Sequence, residues 1–248
     1  MLKVSNLCKV FTDKTVDGVK AVDDLTFEAH SGQIIGVLGM NGAGKSTTLR
    51  MLATVLKPSS GKCYLNGADM HENSLEVRKS IGFLSGSTGL YKRLTARETI
   101  IYFARLNGMD EARIKSRVEE LIELLNMSEF IDRRCEKLST GQKQKVNIGR
   151  TIIHDPSLLI LDEATTGLDV VAKQSIINFV SHMRSDKRVI LFSTHHMDEV
   201  EHLCDRIIIL NKGELIAEGL KEEVPQQLGC DTLYEVFSKY ADNAEVEA

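Results

Sequence analysis

No part of the chain is apolar for long. Its longest uninterrupted apolar runs span four or five residues, as in LLIL and RIIIL, against the roughly eighteen that a membrane-spanning helix needs. No segment is therefore expected to cross a bilayer. Cysteine is sparse, with five residues far apart (Cys8, Cys63, Cys135, Cys204, Cys230), an odd total and no C-x-x-C pair. That spacing argues against a disulfide frame or a zinc site and for reduced thiols, most of them buried. There is no basic excess either: the net charge is −4 and the isoelectric point about 6.0. Basic residues form only short clusters, such as Lys92-Arg93 and Arg133-Arg134, which read as solvated surface, and no nucleic-acid partner is expected. The start MLKVSNLCKV alternates like a strand and lacks the apolar core and small-residue cleavage site of a secretory signal, which points to the cytoplasm.

The composition, 42% apolar and 27% charged over 248 residues, is that of a folded α/β domain, with room for a smaller inserted one. From Leu2 to Glu28 short apolar and alternating stretches, broken by an exposed turn at TDKTVDG, predict antiparallel strands. QIIGVLG predicts a buried strand entering a glycine-rich turn. KSTTLRMLATVL follows with Leu49, Leu52, Val55 and Leu56 at helical spacing until Pro58 stops it. Between about Thr95 and Ile153 helix-length segments succeed one another without a strand. Beyond Pro156 the apolar strands LLILDE, RVILFSTH and RIIIL alternate with helical segments, the pattern of a parallel sheet. The expected division is a core of residues 1–85 and 156–230 and a helical subdomain of residues 86–155. A C-terminal stretch, 231–248, has Leu233, Val236, Phe237 and Tyr240 on one face and a final ADNAEVEA expected to fray.

The chemistry concentrates in four places. GMNGAGKS (Gly39, Met40, Asn41, Gly42, Ala43, Gly44, Lys45, Ser46), with Thr47 next, matches G-x-x-x-x-G-K-[ST]. Its backbone amides can curl around a β-phosphate, Lys45 can reach the β- and γ-phosphates, and the Ser46 hydroxyl suits Mg²⁺. SLLILDEATTGLD delivers Asp162 and Glu163 to the end of a buried strand. The first acid can hold magnesium, and the second can orient and deprotonate a water that attacks the γ-phosphate. In FSTHH, His195 can hydrogen-bond a γ-phosphate. A metal reading of His195, Glu199 and His202 is set aside, because His195 falls on a strand end and H-E-x-x-H is absent. LSTGQKQKV places Ser139, Gly141 and Gln142 just ahead of an amphipathic helix, a second setting suited to phosphate. NKGE, at residues 211–214, comes near the guanine-reading N-K-x-D, but its acid is one carbon too long.

In this order and at these intervals, the phosphate loop, LSTGQ, LLILDE, GLD and the histidine after FST resemble the nucleotide-binding subunit of an ATP-binding-cassette (ABC) transporter, over nearly the whole chain. The resemblance implies a P-loop NTPase (RecA-like) core with an antiparallel β subdomain and an inserted α-helical subdomain. It implies an ATPase using ATP and Mg²⁺, with two such subunits, identical or related, facing head to tail. Each ATP then lies between the phosphate loop of one chain and the signature motif of the other, so that Ser139, Gly141 and Gln142 serve the partner's nucleotide. It further implies that Phe11 stacks on adenine and that Asp169 sits at the dimer interface. Residues 90–108 are expected to contact a separate integral membrane subunit at the cytoplasmic face of the membrane. The pattern is most similar to bacterial sodium-efflux cassettes, implying ATP-driven export of sodium ion or a drug. The alternative, a soluble cassette acting on ribosomes or nucleic acid, is disfavoured by the single cassette, the lack of long heptads and the lack of a basic surface. Two positions depart from the family pattern. Thr140 replaces a signature glycine, and Gly86 stands where a glutamine is usual, a gap in which a water held by Ser85 or Ser87 is expected.

Overall fold

The computed structural model describes residues 1–13, 16–86 and 89–245. Two long strands, β1 (Leu2–Asp13) and β2 (Val16–Ala29), precede β3 (Ile34–Leu38) and helix α1 (Lys45–Leu52). Strands β4 (Ser60–Leu65) and β5 (Ala68–Asp69), the short helix α2 (Ser74–Arg78) and β6 (Ile81–Ser85) lead into three successive helices, α3 (Ala96–Leu106), α4 (Glu111–Leu124) and α5 (Thr140–Ile152). Strands and helices then alternate through β7 (Leu158–Asp162), α6 (Val170–His182), β8 (Val189–Ser193), α7 (Met197–Leu203) and β9 (Arg206–Asn211). The antiparallel strand β10 (Glu214–Leu220), helix α8 (Val224–Gln227) and helix α9 (Leu233–Glu245) follow.

Every residue of β3, β7 and β8 is buried, the polar ends Asp162 and Ser193 included, as strands in the middle of a parallel sheet covered on both faces must be. They belong to a six-stranded sheet of order β10-β9-β3-β8-β7-β6, parallel except at β10. Because side chains alternate across a strand, the sheet feeds two cores. Leu159, Leu161, Ile190, Phe192, Ile207 and Ile209 pack towards the helices. Leu158, Ile160, Val189, Leu191, Ile208 and Leu210 pack towards α1 and the antiparallel sheet β2-β1-β4-β5.

The helices between β6 and β7 are locally specified. Thr95 and Glu98 form a capping box at the start of α3, and Asp110 caps α4. Ile114, Val118, Leu121 and Ile122 give α4 one buried stripe. Of the thiols, Cys63, Cys135 and Cys204 are buried and all five are free. Burial pushes the Cys63 and Cys204 thiols up to about 12, which keeps them protonated and unreactive.

Two expectations need correction. Helix α1 does not run to Pro58 but ends at Leu52, with Thr54 in the left-handed region at φ 57°. The Arg78 guanidinium donates to the Thr54 hydroxyl at 2.8 Å and to its carbonyl at 2.9 Å, taking the acceptor and stabilising a conformation that is otherwise costly for a β-branched residue. Val55, expected on the buried face, is accordingly exposed. TDKTVDG is less of a turn than expected, since β1 reaches Asp13 and β2 resumes at Val16; Lys14 and Thr15 lie outside the described residues. Helix α9 runs on to Glu245, into the ADNAEVEA expected to fray, with Leu233 and Val236 buried near its start. Its first turn is held by bonds from the Glu235 amide to the Thr232 hydroxyl and from the Asp231 amide to the Glu235 carboxylate. Residues 246–248 lie outside the described residues.

Candidate nucleotide site

Strand β3 ends at Gly39, where a Cβ would fall 2.4 Å from the Leu210 carbonyl oxygen. At Gly44, with φ +98°, a Cβ would fall 2.5 Å from the Ala21 carbonyl oxygen. Only glycine fits these two positions, and between them the chain turns into a loop whose backbone curls ahead of α1. Lys45 folds back over that loop, its ammonium donating to the carbonyls of Gly39 at 2.8 Å and Met40 at 3.0 Å. Burial holds its pKa below the ordinary lysine value, against the pull of Glu163 and Asp162. Asn41, Gly42, Ala43, Gly44, Lys45, Ser46 and Thr47 line a cleft of about 160 Å³ together with Ala21 and Glu163.

Strand β7 carries Asp162 to the same place, buried at its C-terminal end. One Asp162 oxygen accepts from the Ser46 hydroxyl at 3.3 Å and from the Ser193 hydroxyl at 2.7 Å. The next residue, Glu163, has φ 52°, and its amide donates to the Ser193 hydroxyl at 3.0 Å. Ser193, at the end of β8, thus fixes both acids. Sequence reasoning missed it, although a polar pair, Ser193-Thr194, closing an all-apolar strand was a visible signal. An all-oxygen set of a hydroxyl and a carboxylate 3.3 Å apart suits a hard divalent cation such as Mg²⁺.

The other predicted residues lie outside this cleft. His195 is exposed in the segment between β8 and α7, its ring 4.2 Å from that of His196. Glu199, weighed only as a metal ligand, is instead fully buried against Lys173 and Thr194. Ser139 caps α5, accepting from the Gln142 amide at 3.2 Å while the Gln142 side chain accepts from the Ser139 amide at 3.0 Å. Asp169 caps α6, accepting from the Ala172 amide at 2.8 Å. A Cβ on Gly141 would lie 3.1 Å from the Ala172 Cβ, so these two helix N-termini are neighbours. Phe11 is exposed on β1 opposite Val19, two residues before the Ala21 that lines the cleft, with the Lys9 ammonium 5.1 Å above its ring. The Gly86 amide donates to the Asp162 carbonyl at 3.2 Å. A Cβ there would meet only ordinary contacts at 3.8 Å. Ser85 is buried beside Asp162 in the sheet register; Ser87 lies outside the described residues.

A glycine-constrained loop leading into a helix, facing a buried aspartate and a glutamate at the tip of another strand of the same parallel sheet, defines a P-loop nucleoside triphosphatase. Comparison with known proteins narrows the class. The description of the ABC transporter family matches residues 22–166. The chain is 40% identical over 238 residues to the ABC transporter ATP-binding protein NatA of Bacillus subtilis (strain 168), spanning 96% of each. It is similar to a solved ATP-binding subunit of an ABC transporter, with a TM-score of 0.85 and 28% identity over 97% of this chain and 99% of that one. An ATP-binding cassette solved as a dimer in a post-hydrolysis state, with ADP and Pi, shares the fold at a TM-score of 0.81 and 23% identity, over 89% of this chain and 98% of that one. The chain belongs to the ABC transporter family, as its ATP-binding, ATP-hydrolysing subunit. Among the described residues, no helix is long and apolar enough to cross a membrane.

Proposed function

We propose that this subunit powers an exporter of sodium ion or a drug through a separate integral membrane chain, by clamping ATP between two cassettes. The partner cassette is a second copy or a related chain, and the assembly sits on the cytoplasmic face of the membrane. One observation carries the reading: the cleft holds the phosphate loop and Glu163 but none of Ser139, Gly141, Gln142 or Asp169. The latter group gathers at two adjoining helix N-termini, a setting that favours anions, and Ser139 and Asp169 are exposed there. A second phosphate-binding surface that its own nucleotide cleft does not use calls for a nucleotide held by another chain.

In this reading the loop amides and Lys45 bind the β- and γ-phosphates. The lysine exchanges its two carbonyl acceptors for charged ones, which offsets the burial that depresses its pKa. Ser46 and Asp162 hold Mg²⁺, which supplies neutralisation of phosphate charge when bound. Glu163 takes a proton from the attacking water, His195 donates to the γ-phosphate, and Phe11 packs on the adenine. The membrane chain docks on residues 90–108, where Tyr91, Tyr102 and Leu106 are exposed and the two tyrosine rings meet edge to face at 5.7 Å. Large exposed apolar side chains so close together mark a contact surface. Affinity purification of the tagged chain from detergent-solubilised membranes should bring down one integral membrane protein. Recovery of ribosomal proteins or nucleic acid in its place overturns the exporter reading.

Gly86 gives a narrower expectation. A Cβ at Gly86 meets only ordinary contacts at 3.8 Å, so Gly86→Gln should fold without a backbone clash and return a side chain to the edge of the site. ATP affinity by calorimetry should change less than about tenfold, or ~1.4 kcal/mol, because the binding groups sit in the phosphate loop. Turnover, or its stimulation by the membrane chain, should shift. A large change in affinity would place this segment within the nucleotide-binding site proper.

A further inference from the structure

The carboxylate of Glu199, on the first turn of α7, is completely buried. One of its oxygens lies 3.0 Å from the Lys173 ammonium of α6, which also reaches Asp198 at 3.1 Å. The other oxygen accepts the Thr194 hydroxyl. That hydroxyl in turn accepts the His196 amide at 3.0 Å. The amide can only donate, so the Thr194 hydroxyl receives it on a lone pair and gives its single proton to the carboxylate. Thr194 and His196 flank His195, so the backbone on both sides of that histidine is tied to one buried acid.

Lys173 places its ammonium 3.0 Å from that buried carboxylate. A buried carboxylate without a partner is strongly disfavoured, and α6 supplies the partner one helical turn after Asp169, whose carbonyl accepts the Lys173 amide at 2.8 Å. Although burial works against the lysine's charge, its bonds to Glu199 and Asp198 carry its pKa above the ordinary value. None of these three side chains lines the nucleotide cleft.

We propose that Lys173 and Glu199 are positioning residues for His195, acting through Thr194 to hold the histidine where it meets the γ-phosphate. The proposal rests on the γ-phosphate reading of His195 given above. It assigns the pair no contact with nucleotide. Its effect should therefore be confined to the discrimination between a triphosphate and a diphosphate.

The test measures the affinity of the full chain for a non-hydrolysable ATP analogue and for ADP, in dilute solution, with and without His195→Ala. His195→Ala should lower the preference for the triphosphate on the order of tenfold, the size of one hydrogen bond to a charged group. Glu199→Ala and Lys173→Met should each lower it to a similar degree while ADP affinity holds. Combined with His195→Ala, neither should lower it further. Adding Glu199→Gln to Lys173→Met should restore the preference, because the uncompensated charge is gone and an acceptor for Thr194 remains. That pair of variants also carries the test should Glu199→Ala fail to fold. A preference untouched by these variants while His195→Ala reduces it overturns the positioning role alone. So does a loss that adds to that of His195→Ala, a parallel loss of ADP affinity, or no recovery with Glu199→Gln. If His195→Ala itself leaves the preference unchanged, the reading of His195 fails and the proposal with it.

Discussion

Glu163→Gln should bind ATP as the parent does yet hydrolyse it at least ~100-fold more slowly, the low end for loss of a positioned base. The substitution keeps the shape of the side chain and leaves the Glu163 amide on the Ser193 hydroxyl, so the left-handed turn at φ 52° that aims the residue into the cleft is not disturbed. Only the ability to accept a proton is lost. Because each ATP is proposed to join two chains, an enzyme that binds but does not cleave should accumulate as a dimer whenever ATP is present. Phosphate release and size-exclusion chromatography with and without ATP read the two effects. Normal turnover, or a chain that stays monomeric at high ATP, contradicts the role.

Ser139→Arg should leave the ATP affinity of a single chain nearly unchanged while abolishing both ATP-dependent dimerisation and turnover. Its hydroxyl caps α5, and loss of a cap costs about 1 kcal/mol on its own, so a second variant must separate stability from interface. Ser139→Asp caps as well as serine does but sets a negative charge against the facing phosphates, and it too should eliminate the dimer. Thermal unfolding should show the Asp variant near the parent. A dimer that survives both substitutions would mean that LSTGQ does not face another chain's nucleotide.

The phosphate loop and the Asp162-Glu163 pair could be read from sequence because each is a short contiguous motif at the end of an apolar strand, and strand ends of a parallel sheet converge on one edge. The structure brings Lys45, Ser46, Asp162 and Glu163 together there. What escaped the reading depends on partners distant in sequence. The end of α1 is set by Arg78 acting on Thr54, which no local propensity reveals. The importance of Ser193 arises only once β8 lies beside β7. Glu199 showed helical spacing with two histidines, but its true neighbours, Thr194 and Lys173, lie across a strand end and another helix.

The reciprocal bonds between Ser139 and Gln142 have a kinetic consequence. A serine hydroxyl has one proton and two lone pairs, and the capping bond from the Gln142 amide occupies only a lone pair. The proton stays free to donate while the rotamer is already fixed. No ordering of this side chain is then left for the moment of encounter, when immobilising a free rotamer would slow productive docking and weaken it. Ordering of Ser139 should thus add nothing to the barrier when two ATP-loaded chains associate.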